Sequence, residues 1–161
     1  MIKKIVIPFI LLSGFINTYS QTAFNYSQEI VKKENELGPL IESTEDAVSK
    51  FLENGKFDSI AIVSEKLEKL VAQKIREIVD MPAPLVNEGE FFKAAAITYF
   101  DYIKSMYSGY KDYGRAKTAE SRDVFLKSLI ALLDKKDSVL DAMKQAQQKF
   151  ATANNFKLGN D

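Results

Sequence analysis

Ile30 to Phe51 reads IVKKENELGPLIESTEDAVSKF, and the spacing inside this stretch decides the fold. Stepping from Ile30 alternately by four and three residues meets Glu34, Leu37, Ile41, Thr44, Val48 and Phe51. Five of these seven positions are apolar. That is the period of a helix with one buried face, not the alternation of a strand. Gly38-Pro39 interrupts the run, and a proline inside a helix removes a hydrogen bond at a cost of about 3 kcal/mol. The register nevertheless continues unshifted past Pro39. The pattern predicts one long helix from about Thr22 to Glu53, kinked at Gly38-Pro39, with two shorter helices as the alternative.

Downstream, Asn54-Gly55 ends this helix, since both residues tolerate the left-handed backbone of a helix terminus. Asp58 is the expected N-cap of the second helix, with Phe57 and Ile62 as a hydrophobic staple. Its apolar face carries Ile60, Val63, Leu67, Leu70, Val71, Ile75 and Ile78, and Met81-Pro82-Ala83-Pro84 stops it. The third helix presents Phe92, Ala95, Tyr99, Tyr102, Met106, Tyr110 and Tyr113. Thr118 or Ser121 caps a fourth, whose stripe of Leu126, Leu129, Leu133, Leu140, Met143 and Phe150 is broken by the polar Lys136 and Gln147. The tail beyond Asn154-Asn155 is expected to fold Phe156 and Leu158 back onto the bundle. Short connections favour antiparallel neighbours. The predicted fold is all-α, an antiparallel up-down-up-down four-helix bundle.

Upstream, Lys3 and Lys4 precede an apolar run from Ile5 to Phe15, followed by the small residues Thr18 and Ser20. Charge, apolar run and small residues in that order make a secretory signal peptide. The run is shorter than the roughly 20 residues that span a bilayer. Residues 1–20 are thus expected to be removed before Gln21, leaving 21–161 as a single domain that is exported to the periplasm or the cell surface. No second apolar segment reaches spanning length, and no cysteine is present to carry a lipid. The expectation is a mature chain with no direct membrane anchor.

The full chain balances 22 basic against 22 acidic residues, and both Lys3 and Lys4 fall in the leader. Such a chain lacks the basic footprint that nucleic-acid binding requires, so nucleic acid is not an expected partner. There is also no histidine. That excludes Ser-His-Asp and Cys-His machinery, haem histidine ligands, H-E-x-x-H zinc helices and E-x-x-H di-iron pairs. No phosphate-binding glycine loop or nucleophile elbow occurs. The reading is a non-enzyme with no catalytic residues, no cofactor and no metal.

One helix stands out chemically. Tyr99, Tyr102, Tyr107, Tyr110 and Tyr113 fall within fifteen residues, beside Phe91, Phe92 and Phe100. Tyrosine offers a flat apolar face with a hydrogen-bonding tip, which suits sugars, peptides and protein partners. These five form the candidate interaction surface, although four of them also lie on the helix's own buried stripe. Tyr107 is off that stripe and is the expected exposed aromatic. The acidic pairs Glu42/Glu45 and Glu65/Glu68 have helical spacing, but with lysines beside them they read as solvated faces.

The closing segment Ala146-Gln147-Gln148-Lys149-Phe150-Ala151, followed by Asn154-Asn155-Phe156-Lys157-Leu158, resembles the C-terminal A-Q-x-x-F-A signature of a family of small uncharacterised exported surface proteins of spirochaetes and Bacteroidota. Tyr26-Ser27-Gln28-Glu29-Ile30 is similar to that family's opening helix. The resemblance implies a bacterial exported helical bundle and brings no catalytic residues. Many members carry a lipid-attachment cysteine, and here this chain departs from them.

The leading functional expectation is an exported, non-enzymatic envelope or surface protein acting as an interaction module for another envelope or surface protein. The alternative is a periplasmic carrier that binds a small apolar or sugar ligand between helices near the tyrosine-rich third helix. A cavity of several hundred Å³ beside Tyr99, Tyr102 and Phe92 would favour the carrier.

Overall fold

The computed structural model describes residues 18–158, and residues 1–17, which hold most of the expected signal peptide, lie outside them. Among the described residues the chain is all-helical, in five segments: α1 (Thr18–Glu53), α2 (Phe57–Asp80), α3 (Gly89–Arg115), α4 (Ala119–Leu133) and α5 (Lys136–Ala153).

The first helix follows its sequence pattern closely. Ile30, Leu37, Ile41 and Val48 are buried, and α1 continues through Pro39. Pro39 is exposed, so its ring faces solvent rather than core. Gly55 closes the helix with φ of 64°, where a side chain would be strained.

Helix α2 starts two residues earlier than its sequence suggests. Lys56, not Asp58, is the N-cap residue, and it makes no side-chain cap. Asp58 lies in the first turn, where a carboxylate still suits the positive end of the helix. The expected staple does not form, because Ile62 is 68 % exposed. Phe57 instead meets the edge of Tyr113 at 5.9 Å, with the Arg122 guanidinium 4.1 Å from its ring centre.

The fourth predicted helix is two. Asp134-Lys135-Lys136-Asp137 is a full turn of charge with no apolar side chain to hold against the core. The helix ends at Leu133 and restarts at Lys136. Thr118 is the cap of α4, in a reciprocal box with Ser121: the Ser121 amide donates to Thr118 Oγ1 at 3.1 Å and the Thr118 amide to Ser121 Oγ at 3.3 Å.

Helix directions follow from ion pairs. Lys33 pairs with Glu77 and Lys74 with Glu36, so α1 and α2 run in opposite senses. Glu68 with Lys111 and Glu65 with Arg115 do the same for α2 and α3. The α2–α3 contact is the most extensive in the molecule. Gly114 makes it close: a Cβ there would lie 2.6 Å from both the Ala61 nitrogen and the Phe57 carbonyl oxygen.

Around the bundle, α1 packs on α2, α2 on α3, and α3 on both α4 and α5, while α1 meets α5 only slightly. The ring of helices is therefore closed at one end and left open at the other. The closed end is aromatic. Phe92 stacks on Phe150 at 4.9 Å, Tyr26 meets both rings edge-on at 6.2 Å, and Phe156 folds back to within 5.7 Å of Phe150. Ala146, Gln147, Phe150 and Ala151 of the closing motif are all buried here. Asn154 ties the tail down by donating from Nδ2 to the carbonyls of Phe150 and Asn87, each at 2.8 Å.

Candidate functional site

The open end of the ring is the site. Helix α4 is apolar on more of its surface than the bundle covers: Leu129 alone is fully buried, while Val124, Leu126 and Ile130 are 61 %, 44 % and 50 % exposed. Leu129 finds cover because α3 has a glycine opposite it. A Cβ on Gly109 would come within 2.7 Å of Leu129 Cδ2. From that point of close approach, α4 leaves a cavity of about 710 Å³ between itself, α3 and the end of α1.

Leu52 of α1, Tyr110 and Tyr113 of α3, and Leu126, Leu129, Ile130 and Leu133 of α4 form its apolar walls. Asp134, Lys136 and Asp137 line it at the α4–α5 junction. The size falls in the range of about 300–1,000 Å³ usual for small-molecule sites, and a mostly apolar wall with a few polar groups is their usual chemistry.

The five tyrosines divide between core and cavity. Tyr99 is buried, and its hydroxyl donates to Glu34 Oε1 at 2.9 Å. Burial raises the Glu34 carboxyl above the ordinary glutamate value, and the Tyr99 hydrogen bond only partly offsets this. The Tyr99 hydroxyl is itself raised, by burial first and then by Glu34. Tyr102 is half-buried, with a hydroxyl that has no hydrogen-bond partner among the described residues. Burial, and then the carboxylate of Asp137, pushes that hydroxyl up.

Tyr107 is not the exposed aromatic that its sequence position suggested. It is 1 % exposed, among the largest fully buried side chains. The reason lies in the neighbours of α3, which meets α2 on one side, α4 and α5 on another, and the side chains of α1 across the interior. A single stripe cannot describe a helix buried on three sides. Burial, and then the facing Glu45 carboxylate, raises the Tyr107 hydroxyl.

Tyr110 and Tyr113 are half-buried and reach the cavity. The Tyr110 hydroxyl is pushed up to about 12 by burial, then by Glu45 and Tyr102. The gap at Tyr99, Tyr102 and Tyr107 holds about 20 Å³, room for one water at most, and Phe92 is spent in the aromatic stack.

The acidic pairs also settle differently from a purely solvated face. Glu65 and Glu68 bridge α2 to α3 through Arg115 at 3.0 Å and Lys111 at 2.6 Å. Among the described residues, no group of three His, Cys, Asp or Glu side chains is placed to hold a metal ion. No helix among them is long and apolar enough to cross a membrane. The cavity is not visible in the sequence pattern, where Lys136 reads as a polar intrusion in one continuous stripe and the break at Asp134-Lys135 does not show. The available signal was the apolar excess of α4, whose Val124, Leu126, Leu129, Ile130 and Leu133 are more than one buried stripe needs. No protein-family model matches the chain, and no curated protein or solved structure matches it either.

Proposed function

We propose that the mature protein is an exported, non-enzymatic envelope protein that carries a small apolar ligand in the groove between α1, α3 and α4. The observation that carries this reading is the cavity of about 710 Å³ with walls of leucine, isoleucine and tyrosine. An apolar wall of that size open to water is unfavourable at about 25 cal/mol per Å² until something covers it. Export is supported by the charged, apolar and small residues of the leader.

The test is titration of the chain beginning at Gln21 with the apolar fluorophore N-phenylnaphthylamine. Saturable binding that Ile130→Asp abolishes is the expected result. Absence of saturable binding, or binding indifferent to Ile130→Asp, would sink the reading.

The interaction-module reading keeps one specific observation in its favour. Val124 is exposed on α4 and lies outside the cavity walls. If that face docks an envelope or surface protein, Val124→Lys should abolish capture of the partner and leave fluorophore binding intact.

A further inference from the structure

Helix α4 is fixed at its ends and loosely seated between them. At its start the Arg122 guanidinium donates to the Ala116 carbonyl at 2.8 Å and lies over the Phe57 ring, which ties the first turn to the tips of α3 and α2. At its finish Asp134 and Lys135 keep right-handed helical backbone, so the chain passes into α5 without a reversal. Between these two points one fully buried side chain, Leu129, holds α4 to its neighbour. Under Leu129 lies Gly109 of α3. Helices lock together when the side-chain ridges of one enter the grooves of the other, and a glycine contributes no ridge. The contact is a bearing, on which α4 is free to roll about its long axis.

The groove supplies the force that turns it. Leu126, Ile130 and Leu133 line the open side of α4, and Leu52 of α1 stands on the opposite bank. The three share one helix face through their spacing of four and three, so a roll carries them toward Leu52 together. Water between two apolar banks is released favourably when the banks meet. Each bank is therefore the nearest cover for the other.

We propose that α4 is a lid. With the groove empty it rolls on Gly109 and sets Leu126 and Ile130 against Leu52, and an occupant wedges it back to the open position. This goes beyond the carrier reading, because the closed state needs no ligand. It also sets the affinity of any occupant, which binds only the open fraction and is weakened by that fraction.

The chain has no cysteine, so pairs of nitroxide labels can be introduced without background. Ser43→Cys on α1 with Ser128→Cys on α4 reads the width of the groove by double electron–electron resonance. Ser43→Cys with Ser105→Cys on α3 is the fixed reference. All three serines are exposed, and their hydroxyls bond carbonyls of their own helix, so the labelled variants keep the fold.

In the empty chain beginning at Gln21, the α1–α4 pair should show a short population, as the two helices near the axis separation of about 8–10 Å of packed neighbours. Saturating N-phenylnaphthylamine should convert it to a longer distance. Ile130→Asp, which places a charge on the closing bank, should lower the short population about tenfold without any ligand. The reference pair should stay at one distance throughout.

An α1–α4 distribution that Ile130→Asp leaves unchanged, a short population that persists with fluorophore bound, or a reference pair that moves in step would overturn the lid. A short population lost in Ile130→Asp, in a chain that fails to bind the fluorophore, would uphold the lid and remove the carrier reading.

Discussion

The Tyr99 hydroxyl donates across the bundle interior to the Glu34 carboxylate at 2.9 Å, tying α3 to α1 where their backbones have little contact. Glu34 stands on the apolar stripe of α1, so its charge is desolvated, and the Tyr99 hydroxyl is the donor that answers it. Tyr99→Phe removes that donor and leaves the half-buried carboxylate unanswered. The expected loss is about 1–3 kcal/mol, measured by denaturant unfolding at neutral pH. Glu34→Gln removes the charge and keeps an acceptor, so it should match or exceed the wild type in the same measurement.

The same carboxyl gives stability an acid-side component. Its folded value is raised, so the folded state holds the proton more tightly than the unfolded chain. Its contribution is fully present below the ordinary glutamate value and is lost as pH rises through the raised one. Glu77 has the opposite sign. The hydrogen bond from Lys33 lowers it to about 2, so its contribution is present above the ordinary value and fades as pH falls toward 2. Unfolding curves from pH 2 to 7 should therefore tilt one way in Glu34→Gln and the other way in Glu77→Gln. Parallel curves for the two variants would contradict both assignments.

Gly114 separates backbone contact from side-chain contact. A methyl group there meets the Ala61 nitrogen and the Phe57 carbonyl at 2.6 Å, and backbone cannot rotate away. Gly114→Ala should cost about 1–3 kcal/mol or more. At Gly109 the obstacle is the tip of Leu129, which can turn into the adjoining cavity. Gly109→Ala should cost less, and thermal unfolding of the two variants checks the order.

Tyr107→Ala tests the burial of the third helix. A ring removed from a fully packed site costs about 3–5 kcal/mol. A thermal midpoint close to wild type would mean the residue lies at the surface after all.

Much of this architecture is legible in the residues themselves. The four-three spacing from Ile30 to Phe51 predicts α1, and the buried Ile60, Leu67, Val71 and Ile78 recover the expected face of α2. The closing Phe150, Phe156 and Leu158 pack at the end where the sequence placed them. What escapes is everything that depends on how many neighbours a helix has. Periodicity reports one buried face, so it could not see that α3 is covered from several directions and that Tyr107 is core. Nor does register alone reveal a break, because the stripe from Leu126 to Phe150 stays nearly in phase across Asp134-Lys135. Charge density over one whole turn was the better guide there. Tyr110 and Tyr113 were legible as candidates, but their cavity belongs to the spacing between helices and not to either helix alone.

Helix α4 has a further consequence for the exchange of backbone amides with solvent. α3 is the only helix it packs against extensively, and it contributes a single fully buried side chain. Its hydrogen bonds therefore open at a lower free energy than those of α2 and α3, as a unit of their own. In deuterium exchange, the amides of residues 123–133 should be labelled well before those of residues 95–107. An occupant of the groove touches α4 from Leu126 to Leu133, about two of its turns, so its binding energy is spent first on protecting this one helix. The least protected part of the molecule then doubles as the reporter of whether the groove is filled.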